Sequence, residues 1–215
     1  MFKRIVSFTV DGFMAGLLLS ICCAVNISAG NSFAGAFLFS LGLFAIMELH
    51  LGLYTGKVGY LVVKRPKYAG EVTITLISNC IGAFLGGYLL SLTRFGESLC
   101  EKSLDIMAGK MGDSPISMFL LSMFCGILIF IAVEGDKKCT KADDHVGALF
   151  TTLIPVMIFI ICGFNHCIAD MGYFALSGFA DYHKAGLYFA MAILGNGVGC
   201  MIIPVMKKFS INKWF

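Results

Sequence analysis

The chain has 215 residues, of which 58% are hydrophobic and 13% are charged, and its formal net charge is +3. Soluble domains carry about 25% charged residues, so this composition excludes an ordinary water-soluble core and predicts a protein whose apolar surface is solvated by a lipid bilayer. The sequence has no polybasic run and no nucleic-acid motif, so we expect no nucleic-acid partner.

Six apolar spans follow one another along the chain. They cover residues 8–28, 32–62, 71–92, 116–134, 146–176 and 186–206. Each is long enough to cross a bilayer, which takes roughly 20 apolar residues. The basic start of the chain is similar to a signal peptide, but Asp11 interrupts the apolar run and no cleavage site follows it, so we expect a retained first helix. We expect the stretch 93–115 to be a short, unremarkable loop.

The basic residues favour one orientation in the membrane, because lysine and arginine concentrate on the cytoplasmic side. With both termini in the cytoplasm, the inner segments hold eleven of them and the outer loops hold four. The inner residues are Lys3, Arg4, Lys64, Arg65, Lys67, Lys137, Lys138, Lys141, Lys207, Lys208 and Lys213, and the outer residues are Arg94, Lys102, Lys110 and Lys184. We therefore predict a multi-pass protein of the bacterial inner membrane with cytoplasmic N- and C-termini.

The second and fifth spans are too long for one helix each, and both contain an interruption. Glycine and polar residues break the second span at residues 53–57 and the fifth at residues 163–166. Broken helices expose backbone polar groups, which are tolerated at membrane depth only inside protein or beside a water-filled cavity. The two interruptions therefore predict a polar site within the bilayer.

The two halves of the chain also resemble each other. Each half has a whole span, a broken span and a span with an N-x-x-G pattern, which contains Asn79 in the first half and Asn196 in the second. Three spans per half give the halves opposite orientations, with the substrate site at the midplane where the broken helices meet. The sequence thus predicts an all-α polytopic membrane protein with six transmembrane helices in a 3+3 inverted repeat. The halves, at about 8–92 and 116–208, form one domain over residues 1–215.

Longer motifs surround the two breaks. Residues 39–43 (FSLGL) precede residues 52–57 (GLYTGK), and residues 155–171 combine a proline, a phenylalanine, GFNH and ADM. Residues 79–83 (NCIGA) and 195–199 (GNGVG) complete the pattern. At this spacing the chain resembles the formate/nitrite transporter family over about residues 8–208. The resemblance implies an aquaporin-like fold, a homopentamer with one pore through each protomer, and passage of formate, nitrite, hydrosulfide or a similar small anion.

The resemblance also implies positions for the pore residues. The family's central histidine corresponds to His166, between one apolar constriction of Leu43 and Phe159 and another of Leu53 and Tyr54. Apolar rings reject hydrated ions. From hydropathy alone, ordinary packing is the favoured interpretation of these four apolar side chains.

Polar side chains beside the breaks can act on a solute. The imidazole of His166 can donate a hydrogen bond to an anion, and it can change protonation near neutral pH. One hypothesis is that it donates a proton to the passing anion, which leaves as a neutral acid. The hydroxyl of Thr55 can donate to the anion or to His166, or it can bond its own preceding turn. We count Asn165 among the pore residues and expect Asn79 and Asn196 to support the helix packing.

The chain departs from the family pattern at several positions, one of which is Tyr54, where the family has Phe. The family has Glu, Asn, Glu, Asn and Lys where this sequence has Gly52, Lys57, Asn165, Asp170 and Ala148. Most of the family's N-terminal amphipathic helix is also missing. These departures leave the fold expectation intact and leave open the substrate, the gating and the coupling to protons.

Lys57 and Asp170 occupy equivalent positions just after the two breaks. We expect them to form a salt bridge between the halves, because a lone buried charge costs several kcal/mol. Lys57 could instead attract anions in place of the lysine missing at Ala148, or extend its ammonium to the surface.

Other functions fit the sequence less well. A pore for small neutral solutes on the same fold is the alternative. A membrane enzyme is not expected, because the chain has no HExxH, no GxSxG and no intramembrane pair of acids at helical spacing. The nine cysteines include no CxxC pair, so we expect neither a metal nor a cofactor. A structural or sensory subunit would need larger soluble parts.

Overall fold

The computed structural model describes residues 2–210, so Met1 and residues 211–215, including the basic residue Lys213, lie outside the described part. All regular structure in this range is helical. The elements are α1 (Phe2–Ser28), α2 (Ser32–Glu48), α3 (Tyr54–Val58), a 3-10 helix (Gly59–Val62), α4 (Tyr68–Ser91), α5 (Gly96–Gly112), α6 (Pro115–Lys141), α7 (His145–Ile161), α8 (Cys167–Leu176) and α9 (Tyr182–Lys208). The predicted all-α class is confirmed.

Both broken spans are present, but the first break lies before most of the residues that predicted it, since residues 54–57 are helical. Four helices, α1, α4, α6 and α9, are each long and apolar enough to cross a membrane. The second predicted span is split into α2 and α3 by residues 49–53, and the fifth is split into α7 and α8 by residues 162–166. If each split pair is counted as one membrane crossing, the chain has six crossings, as predicted. The number of crossings itself stays a prediction.

The expectation of an unremarkable loop at residues 93–115 is wrong, because this stretch contains α5. The helix buries Leu99, Ser103, Met107 and Met111, and it packs mainly against α8. These residues recur every four positions and so share one face of a helix. The face is too short and too polar to register as a membrane span, which is why a search for apolar runs misses it.

Short polar residues start the helices beside the breaks. Asn31 accepts a hydrogen bond from the Ala34 N–H at 2.7 Å and so begins α2. Asp144 accepts from the Gly147 N–H at 2.8 Å and begins α7. These side chains satisfy backbone donors that the first helical turn leaves unpaired. Gly163, with φ +67°, follows the end of α7, in a backbone conformation that glycine adopts without strain.

The inverted repeat is visible in the packing of the long helices. The helix α4 packs against α1 in the first half as α9 packs against α6 in the second. A Cβ atom on Gly82 would overlap the carbonyl of Phe13, and one on Gly199 would overlap the carbonyl of Met123. The glycine of each N-x-x-G motif thus lets two helix backbones touch.

The short helices join the two halves. The helix α8, from the second half, packs mainly against α4 and α1, and α3, from the first half, packs against α9 and α6 as well as α4. The segments that precede α3 and α8 therefore approach each other in the interior. The fold places the site there.

Candidate functional site

Asn79 holds the break between α2 and α3. Its Oδ1 accepts a hydrogen bond from the Tyr54 N–H at 2.7 Å. Its Nδ2 donates to the carbonyls of Gly12, at 2.7 Å, and Gly52, at 2.8 Å. Asn79 is fully buried, so these bonds satisfy backbone groups that water cannot reach.

Asn196 holds the other break in the same way. Its Oδ1 accepts from the Cys167 N–H at 2.9 Å, and its Nδ2 donates to the carbonyls of Ser122, at 2.7 Å, and Asn165, at 2.8 Å. The two asparagines lie on α4 and α9, which are equivalent in the repeat. Each one therefore fixes the first turn of a half-helix to the body of the protein.

The two breaks meet at a hydrogen bond between Thr55 and His166. Thr55 Oγ1 lies 3.1 Å from His166 Nε2, and both residues are about 1% exposed. His166 Nδ1 accepts from the Ala169 N–H at 3.2 Å, so the side chain also caps α8. Because Nδ1 is an acceptor, a neutral ring carries its proton on Nε2 and donates to Thr55. The hydroxyl hydrogen of Thr55 is then free to face a solute.

A cavity of about 570 Å³ opens where α2 and α6 end. This end of the molecule is called the inner side, and the opposite end the outer side, after the orientation that the sequence predicts. Its walls include Leu43 from α2 and Leu53, the last residue before α3. Charged groups also face it. They are Glu48, Lys57, Asp136, Lys137 and Lys141, with His50 beside them. No site was predicted at Glu48, His50 or Asp136. They cluster because α2 and α6 end on the same side of the molecule.

A smaller cavity of about 120 Å³ lies on the outer side and is lined by Phe159, His166 and Asp170. The ring of Phe159 stacks on the imidazole with centroids 5.7 Å apart. An adjoining cavity of about 340 Å³ shares Asn26 and Ile160 with it. Leu53 and Gly56, close to Thr55 in the chain, line the inner cavity, and His166 lines the small outer one, so the Thr55–His166 contact lies between the two.

Leu43 and Leu53 line the inner cavity together, while Phe159 lines the outer one. The predicted constrictions, Leu43 with Phe159 and Leu53 with Tyr54, stay predictions. Tyr54 turns towards α9, where its hydroxyl donates to the carbonyl of Ile193 at 3.1 Å. Tyr54 lines neither the inner cavity nor the small outer cavity that residues 2–210 form. A tyrosine hydroxyl that is buried needs a hydrogen-bond partner, and α9 supplies one.

The formate/nitrite transporter family matches residues 1–209 of the sequence. The chain belongs to the formate/nitrite transporter family. A Bacillus subtilis (strain 168) relative, described as an uncharacterized transporter, YrhG, is 26% identical over 217 residues, 90% of this chain and 80% of that protein. The Bacillus thuringiensis formate channel BtFdhC is 24% identical over 92% of this chain and 83% of its own.

A solved structure described as a pentameric formate channel with formate bound superposes with a TM-score of 0.78. It is 22% identical and covers 96% of this chain and 97% of its own. That likeness establishes the fold of this family member. The relatives are transporters and channels, so the protein is a membrane transporter and not an enzyme.

The ion pair expected between Lys57 and Asp170 in this family member is wrong. Lys57 instead donates to Glu71, with Nζ 2.9 Å from Oε1. Lys110 donates to Asp170, with Nζ 2.8 Å from Oδ1. Although the two positions are equivalent in the repeat, one lies by the inner end of α4 and the other under the outer helix α5. Each charged group pairs with the nearest opposite charge instead.

Lys110 is a candidate site residue that was not predicted from the sequence. It was counted only as an outer-loop charge, but its Nζ donates to the carbonyl of Phe164 at 3.1 Å as well as to Asp170. Its side chain is 15% exposed and lines the small outer cavity with His166. The four-residue periodicity of α5 was the signal that could have placed it at the protein interior.

Asn165 lies behind the site. Its Nδ2 donates weakly to the carbonyl of Met118 at 3.3 Å, and its own carbonyl accepts from Asn196. It is fully buried, and its Oδ1 has no hydrogen-bond partner among residues 2–210. Nor does it line the outer cavity that those residues form. Across the described chain, no group of three His, Cys, Asp or Glu side chains is placed to hold a metal ion.

Proposed function

We propose that this formate/nitrite transporter is a channel for a small monovalent anion, such as formate, nitrite or hydrosulfide, or for its weak acid. The observation that carries the proposal is the Thr55–His166 hydrogen bond between cavities that open on opposite sides. The family match and the relatives named formate channels support it. A solute that crosses the protein passes this contact.

The residues around the Thr55–His166 contact select solutes in two ways, through apolar side chains and through hydrogen-bond donors. Leu43 and Leu53 on the inner side and Phe159 on the outer side offer no polar group, so a hydrated ion must shed water to pass. The hydrogen of the Thr55 hydroxyl is free to replace that water, and the hydrogen on His166 Nε2 can do so when it turns from Thr55 Oγ1 to the solute. A small anion with a compact charge gains the most from these two donors.

Proton coupling is a finer hypothesis for the same imidazole. Donation of a proton to the anion requires a charged ring, with hydrogens on both nitrogens. In that state Nδ1 can no longer accept the Ala169 N–H, so α8 loses its cap. The cap therefore favours a neutral ring that only donates hydrogen bonds. His166→Asn decides between the two, because asparagine is also a good cap. If flux through this variant keeps the wild-type dependence on external pH, His166 does not relay protons.

Flux into proteoliposomes tests the proposed function. We expect wild-type protein to conduct formate, nitrite or hydrosulfide well above protein-free vesicles, and glycerol poorly. A permeability to glycerol that matches or exceeds that to every anion would establish the alternative, a pore for neutral solutes. The Thr55→Val variant keeps the shape of the side chain and removes the hydroxyl, so we expect it to lower anion flux without opening the pore to glycerol.

We also propose that the protein is a homopentamer of the bacterial inner membrane with cytoplasmic termini. Support comes from the solved relative described as pentameric and from the apolar outer surface, where Phe33, Ile116 and Phe150 are each more than half exposed. The mass of the detergent-solubilised assembly tests the pentamer. Protease access to a tag at either terminus of right-side-out vesicles tests the orientation, and cleavage there would contradict it.

A further inference from the structure

The small outer cavity is lined by a salt bridge. Lys110 Nζ lies 2.8 Å from Asp170 Oδ1, and the hydroxyl of Tyr188 donates to Asp170 Oδ2 at 2.6 Å. Asp170 is 1% exposed and Tyr188 is fully buried. Both carboxylate oxygens therefore have a donor, and the carboxylate is held against the ammonium group.

This arrangement decides what a solute meets after it enters from outside. The titratable groups that line the cavity are Lys110, Asp170, His166 and Tyr173. The charge of Lys110 is the one that could attract an anion, and the carboxylate beside it opposes that attraction at nearly the same distance. Two of the three ammonium hydrogens already bond Asp170 and the Phe164 carbonyl, so one remains as a hydrogen-bond donor.

We propose that Asp170 is a selectivity-determining residue, which cancels the charge of Lys110 so that the outer cavity accepts weak acids in their uncharged form more readily than it would with a neutral side chain at position 170. The inference rests on the proposed function and names the substrate class at the outer side. The family has asparagine where this chain has Asp170. An asparagine would leave the ammonium charge uncompensated, and the cavity would then concentrate anions.

The variant Asp170→Asn tests the proposal directly. We expect the half-saturating concentration of formate on the outer face to fall about tenfold at neutral pH, because removal of a charge within a few ångströms of the solute changes its interaction energy by that order. The double variant Lys110→Met/Asp170→Asn should lose this gain. Asparagine is the family residue at this position, so the single variant is compatible with the fold.

Glu134→Gln is the matched control. Glu134 is also a buried carboxylate that accepts from a tyrosine hydroxyl, that of Tyr60 at 2.7 Å, but it does not line the outer cavity. The substitution changes the net charge by the same amount. We expect the external half-saturating concentration of formate to change by less than twofold.

Two outcomes would overturn the inference. One is that Asp170→Asn conducts formate at the wild-type rate and with the wild-type half-saturating concentration. The other is a gain that persists in the double variant, since it would not act through Lys110. A second readout does not need transport: the formate concentration that half-maximally raises the unfolding temperature in detergent should fall in Asp170→Asn. Formate binding without flux would refute the proposed function alone. If neither the wild-type protein nor Asp170→Asn binds formate, both the proposed function and this inference are refuted.

Discussion

In the first half of the molecule, Asn79 holds the helix break through the Tyr54 N–H and two carbonyls, and in the second half Asn196 does so through the Cys167 N–H and two carbonyls. The residues just before these N–H groups are Leu53 and His166. Leu53 makes no side-chain cap, whereas His166 caps its own half-helix. The same backbone arrangement thus places the apolar side chain of Leu53 at the inner cavity and the imidazole of His166 at the outer one.

The charges near the breaks differ between the halves in a second way. Lys57 follows the first break and pairs with Glu71 on α4. Asp170 follows the second, where it accepts from Tyr188 on α9 and from Lys110 on α5. The two halves therefore share the bonds that hold the backbone and differ in the side chains beside the cavities.

The largest effect should come from removing either asparagine. In Asn79→Leu and in Asn196→Leu, three buried backbone groups lose their partner, and each such group costs about 1–3 kcal/mol. We expect both variants to lose about 3 kcal/mol or more of unfolding free energy, by denaturant titration in mixed micelles. Asn26→Leu is the control, since its Nδ2 has one partner in the structure, the Tyr173 hydroxyl at 2.7 Å. If only one half depends on its asparagine, the two halves are not held alike.

The next effect concerns the one position where the halves differ most. His166→Leu makes the second half like the first and removes a buried donor, which we expect to lower formate flux about 100-fold, because such a donor contributes a few kcal/mol to a desolvated anion. Loss of the cap should also destabilise α8 by about 1 kcal/mol. His166→Asn separates these effects: its stability should stay near wild type while its flux falls. Wild-type flux in both variants would rule out a role for the imidazole in permeation.

The backbone framework could be predicted from the sequence, and the side-chain partners could not. Glycine and polar residues inside apolar runs are locally visible, so the presence of two broken spans followed from pattern, although the first break lies before most of the residues that predicted it. The partner of Asp170 is Lys110, which lies on a half-polar helix that no apolar run marks. The direction of Tyr54 depends on a carbonyl of α9. Such contacts depend on how distant elements pack, and neither periodicity nor the repeat specifies them.

A smaller effect should follow from Tyr54→Phe, which restores the family residue. The hydroxyl donates to the Ile193 carbonyl at 3.1 Å and does not line the inner cavity that residues 2–210 form. We expect a loss of about 1 kcal/mol of unfolding free energy and formate flux within twofold of wild type. A large change in selectivity without a change in unfolding free energy would instead indicate that Tyr54 forms the predicted constriction with Leu53.

The smallest effect distinguishes the two charge pairs by double-mutant cycles. Lys57 and Glu71 are 21% and 18% exposed, so solvent weakens their interaction, and we expect a coupling of about 0.5 kcal/mol between Lys57→Asn and Glu71→Gln. Lys57→Asn and Asp170→Asn should be uncoupled, since each residue has its own partner on its own side of the Thr55–His166 contact. Coupling in the second cycle and none in the first would mean that the charges bridge the halves after all, as their equivalent positions in the repeat had suggested.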